Sequence, residues 1–363
     1  MPRPVVFRHV VPTLRRALGS RASRPPPRSR PTPQPIDPSQ PLGESESHAD
    51  PAAVARARRV PLFFTSLLGV GLGFYCLQLY IAASQPCHNP KIADLSEQKD
   101  VASRYDYTAD SFDSEVGFSE LLMGINGIRK RLAERCSGHV LEVSCGTGRN
   151  LGYYDIGKSN GSTPEGKVDS LTFVDLSPQM VDVCKKKWSA LFGNKNEIDK
   201  IKPSLNVRFM TGSALGDMPL APDGRKYDTI IQTMGLCSTP TPAALLTNMA
   251  KHLDVSNPKS RILLLEHGRS YMPWMNNILD NSAEKHAELH GCWYNRDIGA
   301  IVQQAAEQSG LEVVQERRHH GGTTWIFELK PKPGAASSSP SAQQTEANEV
   351  VDTEGWLSKL GWK

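Results

Sequence analysis

The chain has 363 residues, 22% of them charged and 7% aromatic, with a formal net charge of +4. These proportions are ordinary for a folded protein and exclude wholesale disorder, collagen-like repeats and coiled coil. The charge is uneven. Residues 1–60 carry eleven Arg against four acidic residues, which leaves −3 for everything that follows. A slightly acidic body lacks the basic footprint that phosphate backbones select, so nucleic acid is not an expected partner.

Residues 1–36 hold eight Arg and no Asp or Glu. Within them, 5–22 fits a basic amphipathic helix with Leu14 and Leu18 beside Arg15 and Arg16. Arg-rich, Ser-bearing and acid-free is the composition of a mitochondrial presequence. Eight prolines between Pro25 and Pro41 mark a linker, taken as 37–60. Residues 61–83 then form an apolar run without a formal charge, long enough for the roughly 20 residues that cross a bilayer. Arg56, Arg58 and Arg59 precede it, whereas only His88 and Lys91 follow nearby. A single-pass transmembrane helix is expected, with its basic flank on the matrix side and the remaining chain in the intermembrane space. Gly69, Gly71 and Gly73 mimic a nucleotide loop, but no strand–turn–helix surrounds them.

From about residue 100 strands and helices alternate. The expected strands are 139–144, 171–175, 206–211, 227–232, 261–266, 311–316 and 323–329. The expected helices are 115–136, 178–192, 241–253, 271–290 and 295–309. Alternation predicts an α/β fold with a Rossmann-like, seven-stranded, mostly parallel sheet covered on both faces. The link between the last two strands is too short for a parallel crossover, so the final strand should be antiparallel. This body is taken as 84–330, and 331–363 as a disordered tail rich in Pro, Ala, Ser and Gln.

The first body strand runs into the segment VLEVSCGTGRN, residues 140–150. Gly146 and Gly148 let a backbone turn tightly and approach a ligand at the carboxyl end of the sheet. Asp175 ends the second strand, where a carboxylate can accept both hydroxyls of a ribose. A dinucleotide fingerprint would need a third glycine at position 151, which is Leu, so the dehydrogenase reading fails.

These segments resemble class I S-adenosylmethionine-dependent methyltransferases. LEVSCGTGRN is similar to the cofactor loop and VDLSPQMV to the ribose motif. YDTIIQTMGLCS and ILLLEHGRS are similar to the fourth- and fifth-strand motifs. The family usually has Gly where this chain has Ser144, and many relatives carry an acid near Ser213. With leader and membrane span, the chain looks like the Oms-type membrane-anchored proteins of fungal mitochondria. The resemblance implies S-adenosylmethionine as cofactor, with Glu142, Ser144, Gly146 and Gly148 on its methionine and sugar side. It places Asp175 at the ribose, Ser213 and Ala214 at the adenine, and Gln232, Thr233 and Leu236 along the methyl-transfer face.

The expected function is in-line methyl transfer to a small-molecule or membrane-protein acceptor. A non-catalytic assembly factor that keeps the cofactor fold is the alternative. His267, after the fifth strand, is the candidate general base. Tyr105, Asp106 and Tyr107 precede the domain, where they either cover substrate or form a surface turn. Arg317, Arg318, His319 and His320 read as a solvated basic turn. No metal is expected. The cysteines at 76, 87, 136, 145, 184, 237 and 292 form no C-x-x-C pair, and His286 and His290 share a helical face without the remainder of a zincin motif.

Overall fold

A computed structural model of the chain describes residues 51–157, 166–193 and 202–333. The presequence, most of the linker and nearly all of the tail lie outside the described residues. The chain divides into two units, residues 1–68 and 69–363. The described part of the first is the leading half of helix α1, Pro51–Ser84. The second holds the rest of that helix and the sheet.

Helix α1 starts ten residues before the expected span, because Ala-rich 52–59 supplies strong helix formers. Its 61–84 portion is long and apolar enough to cross a membrane, and none of its hydrophobic window is buried in the protein. Within the second unit, the Asn277 side-chain amide donates to the carbonyls of Ala83 and Gln85 at 2.8 and 2.5 Å. This satisfies backbone acceptors that a helix end leaves free.

The body is one seven-stranded sheet in the order β3-β2-β1-β4-β5-β7-β6. The strands are β1 Gly138–Val143, β2 Val168–Asp175, β3 Asn206–Thr211, β4 Thr229–Thr233, β5 Arg261–His267, β6 Leu311–His319 and β7 Thr324–Pro331. The first five pair in parallel, and β7 runs antiparallel between β5 and β6. The antiparallel last strand is as expected, since only residues 320–323 join it to β6.

Both faces of the sheet are buried, so the central strands are continuous apolar runs. In β5, Ile262 and Leu264 face one layer while Leu263 and Leu265 face the other, following the two-residue period of a strand. Helices α6 Pro242–His252 and α8 Ile298–Gln308 cover the first face with Leu245, Leu246, Met249, Val302 and Ala305. Helices α4 Ile125–Ala133 and α5 Pro178–Phe192 cover the second with Ile128, Leu132, Trp188 and Phe192. Helix α7 Pro273–His290 lies between β5 and α8 in the chain.

The single helix expected at 115–136 is two. The apolar pattern is continuous, but Gly124 adopts φ +67 and separates α3 Phe112–Leu122 from α4. A left-handed residue of this kind ends a helix, and glycine adopts it without strain. Helix α2, Arg104–Thr108, precedes them. Because β1 and β4 are neighbours and their chains leave in opposite directions, a crevice opens at the carboxyl ends of the strands.

Candidate active site

A cavity of about 810 Å³ fills that crevice, near the top of the roughly 300–1,000 Å³ range of ligand pockets. It takes residues from the ends of all five parallel strands. Ser144, Cys145, Gly146 and Thr147 follow β1, and Asp175 ends β2. Ser213, Ala214 and Leu215 follow β3, Thr233 and Met234 close β4, and His267 ends β5. Helices α2, α3 and α7 complete the lining with Tyr105, Phe112, Val116, Met275 and Leu279.

Of the residues expected at the cofactor, Ser144, Gly146, Asp175, Ser213, Ala214 and Thr233 line the cavity, as does His267. Glu142, Gly148, Gln232 and Leu236 do not; they stand one layer behind. Glu142 is buried, and its oxygens accept from the Asn150 amide at 2.8 Å and the Tyr154 hydroxyl at 2.5 Å. Burial pushes its carboxyl up to about 7, against the two hydrogen bonds and the Arg129 charge. It organises the loop from beneath. A Cβ on Gly148 would lie 2.6 Å from Leu151 Cδ1 and 2.7 Å from Cys184 Sγ, so this glycine serves close packing. Gln232 donates to Ser144 Oγ at 3.2 Å, and its own Oε1 has no hydrogen-bond partner among the described residues.

The lining loops hold unusual backbone. Ser144 has φ +53 and Met234 φ +62, both left-handed without being glycine. Such residues cost about 1–3 kcal/mol and persist where the surroundings over-determine them. Gly146 has φ +53, and a Cβ there would meet nothing within 4 Å. It faces open cavity. Asp175 Oδ2 accepts the Gly146 amide at 2.8 Å, and Oδ1 accepts the Ser177 amide at 3.0 Å. Burial raises its carboxyl, and the two amides oppose that rise. Ser177 also caps α5, accepting from the Met180 amide at 3.3 Å.

An ionic clasp ties α3 to this loop. Glu120 accepts from Arg129 at 2.9 Å and from Arg149 at 2.8 Å. Asp113 accepts from Arg149 at 3.0 Å, from Thr147 Oγ1 at 2.7 Å and from Lys187. Burial alone would raise the Glu120 carboxyl; the two guanidinium groups outweigh it and hold the carboxyl low. Arg129 is itself buried and donates to Thr233 Oγ1 at 2.6 Å. Sequence reasoning missed these residues, because they appear as ordinary surface charges of amphipathic helices.

At the other end of the cavity, Cys237, His267 and Cys292 converge within 4.8 Å of one another. The Cys292 thiol donates to Cys237 Sγ at 2.8 Å and lies 3.6 Å from His267 Nδ1. The Cys292 hydrogen bond, reinforced by His267, holds the Cys237 thiol well below its usual range, and the donating thiol of Cys292 is correspondingly raised. Tyr105 lines the same end, its hydroxyl bonded to Ser238 Oγ at 2.8 Å and to the Gly291 carbonyl at 3.0 Å. Tyr107 points away and is exposed. His286 stacks on Tyr294 at 4.0 Å, with His290 beyond it. The expected basic turn is only half solvated. Arg318 lies 3.5 Å over the Trp325 ring, and His320 bonds the Met123 carbonyl at 2.9 Å.

The residues present fit S-adenosylmethionine. Gly146 offers a cradle that any side chain would fill, and Asp175 holds a half-buried carboxylate at the cavity wall. Asp175 has lone pairs left for hydroxyls beyond the two amides it binds. Ser213–Leu215 supply the third wall, where a flat base can lie.

Solved structures similar to the chain include methyltransferases. One is magnesium protoporphyrin IX methyltransferase ChlM from Synechocystis with bound S-adenosylmethionine, at 14% identity and TM-score 0.37, covering 61% of this chain and 82% of that one. Another is the O-methyltransferase NcsB1 of neocarzinostatin biosynthesis, at 16% identity and TM-score 0.41, covering 63% and 59%. A curated relative, the mitochondrial methyltransferase OMS1 of Saccharomyces cerevisiae, is 36% identical over 253 residues, 66% of this chain and 48% of the relative. The chain thus spans about half the length of the curated relative it matches. The family model for a methyltransferase domain matches residues 123–316, from just before α4 into β6, and by that match the chain belongs to the methyltransferase domain family.

Proposed function

We propose that the chain is a membrane-anchored, S-adenosylmethionine-dependent methyltransferase of the mitochondrial inner membrane, acting on a small lipophilic acceptor or on a membrane protein. One observation carries the reading. A single cavity joins the Gly146–Asp175 cradle to an apolar chamber ending in nucleophile-binding groups. Asp175 would hold the ribose, the 144–147 loop the methionine portion, and Ser213 and Ala214 the adenine. When bound, the cofactor supplies a methyl group already activated on a sulfonium.

The chain's own residues then have three tasks. Thr233 and Met234, at the end of β4, form the wall between the two halves and set the line of approach. Phe112, Val116, Met275 and Leu279 enclose an apolar acceptor body and exclude water. The Cys237–His267–Cys292 cluster meets the reacting end and takes up or offsets its proton, where the sequence pointed to His267 alone. The mitochondrial relative and the apolar 61–84 helix support the placement.

Calorimetry of the full chain in detergent with S-adenosylmethionine tests the reading. Saturable binding at one site per chain is expected, with S-adenosylhomocysteine competing. Absence of binding by folded protein would favour the alternative, a non-catalytic assembly factor.

A further inference from the structure

We propose that Cys237, His267 and Cys292 form a three-ligand site for a soft divalent cation of the zinc class, with a fourth position open to the cavity. Among the described residues they are the only trio of such donors brought together. They come from three elements: the loop after β4, the last residue of β5, and the segment after Gly291, which ends α7. Both cysteines are buried, and all three residues line the cavity.

Donor chemistry selects the ion class. Two sulfurs and an imidazole suit zinc, and do not suit magnesium or calcium, which take oxygen. Zinc–sulfur bonds of about 2.3 Å and zinc–nitrogen bonds of about 2.1 Å span tetrahedron edges of roughly 3.6–3.8 Å. The Cys292 Sγ to His267 Nδ1 distance is already 3.6 Å. The two sulfurs, at 2.8 Å, would part by about 1 Å to take the same edge. A disulfide between them would use two donors and leave the imidazole that touches Cys292 without a part.

The backbone around the donors is fixed independently of any ion. The Glu266 carboxylate accepts the Gly235 and Leu236 amides at 3.1 and 3.0 Å. Arg296, buried, donates to the carbonyls of Leu236 and Thr239 at 2.5 and 2.6 Å. The Trp293 amide donates to the Cys237 carbonyl at 2.9 Å, which ties the two cysteine segments together. Tyr105 bridges the neighbours of both cysteines, Ser238 and Gly291. A first shell held by such outer partners is the arrangement metal sites require.

Three protein ligands leave one position free, as in catalytic rather than structural zinc sites. That position faces the acceptor chamber. A zinc-class ion there would take a sulfur, nitrogen or oxygen donor, which narrows the acceptor to molecules ending in a lone-pair group that such an ion can hold. This last step rests on the methyltransferase reading above; the ion site does not. It also makes His267 a ligand rather than a free base.

The test uses the full chain in detergent, reduced and stripped with a chelator, then titrated with zinc alone and, in parallel, with cobalt(II) alone. One equivalent per chain is expected, with sulfur-to-cobalt charge-transfer absorption and the intense visible bands of a tetrahedral site. Zinc should protect two thiols from alkylation, mapped to Cys237 and Cys292. Cys292→Ser should abolish the cobalt spectrum, His267→Gln should weaken binding by at least about tenfold, and Cys87→Ser should leave both unchanged. If a serine variant does not fold, the mapped protection in the unmutated chain decides the same question. The proposal is overturned by a reduced protein that shows no saturable cobalt–sulfur band, by binding that survives in Cys237→Ala/Cys292→Ala, or by recovery of a Cys237–Cys292 disulfide under those conditions. Calorimetry with S-adenosylmethionine on the same sample separates the two readings. A cobalt spectrum without cofactor binding refutes the methyltransferase reading and keeps the ion site, and the converse result does the reverse.

Discussion

Asp175 and Gly146 are joined at one wall of the crevice, the Gly146 amide donating to Asp175 Oδ2 at 2.8 Å. One carboxylate therefore shapes the glycine loop and also faces the space where a ribose would lie. Asp175→Ala removes both, so cofactor affinity should fall by roughly 2–4 kcal/mol, on the scale of one or two hydrogen bonds to a charged group. Amide exchange at Gly146 should quicken as well, while the melting temperature shifts little. Calorimetry and hydrogen exchange check the pair. Unchanged affinity in folded protein would remove Asp175 from the cofactor site.

The two glycines of the loop should fail in different ways. At Gly146 a Cβ meets open cavity at φ +53. Gly146→Ala should cost about 1–2 kcal/mol of stability for the left-handed backbone and weaken cofactor binding at least tenfold by entering the cradle. At Gly148 a Cβ meets Leu151 and Cys184 within 2.7 Å, at φ +76. Gly148→Ala should destabilise the fold by about 3 kcal/mol or more, through overpacking and strain together. Thermal melts and calorimetry on both variants distinguish cradle from packing. If Gly146→Ala binds normally, the cradle is elsewhere.

The sheet was legible because parallel strands are apolar on both faces and end in turn residues, and because the short link at 320–323 forces the direction of β7. The cavity loops were legible as motifs. What escaped depends on contacts between distant segments. Glu142 reads as a loop ligand, yet its partners Asn150 and Tyr154 show it buried beneath the loop. The helix break at Gly124 is hidden by an unbroken amphipathic pattern. Cysteine spacing detects only ligands close in sequence, whereas Cys237, His267 and Cys292 meet only when the loop after β4, the end of β5 and the segment after α7 fold together. Ser144 was the departure from the family pattern that carried meaning. It holds φ +53, the backbone a glycine would adopt without strain.

Glu142 should make stability depend on pH in a direction opposite to that of a salt-bridged acid. Its carboxyl, pushed up to about 7 by burial, lies above the ordinary glutamate value of 4.5. Between those values the folded chain keeps a proton that the unfolded chain has lost. The contribution is therefore fully present below about pH 4.5 and is lost as pH rises through about 7. Relative to Glu142→Gln, which cannot titrate, the unmutated protein should lose stability over that window by an amount on the order of 3 kcal/mol. Denaturation at a series of pH values on both proteins measures the difference. A flat difference would mean that the buried carboxyl is ionised throughout.

The apolar helix sets the last expectation. Its 61–84 portion exposes large side chains on every side, among them Leu68, Leu72, Phe74 and Tyr80. Leaving such a surface in water costs about 25 cal/mol for each Å², so a bilayer is the environment that suits it. Arg56, Arg58 and Arg59 lie before the span, and only His88 and Lys91 lie close after it. Basic flanks stay on the side from which insertion occurs. In mitochondria the expected arrangement has the N-terminal flank in the matrix and residues 84–363 in the intermembrane space. The protein should resist extraction by alkaline carbonate. When the outer membrane is ruptured and the inner membrane left intact, added protease should destroy the methyltransferase domain. Protection of the domain until detergent is added would reverse the orientation, and release by carbonate would remove the membrane span itself.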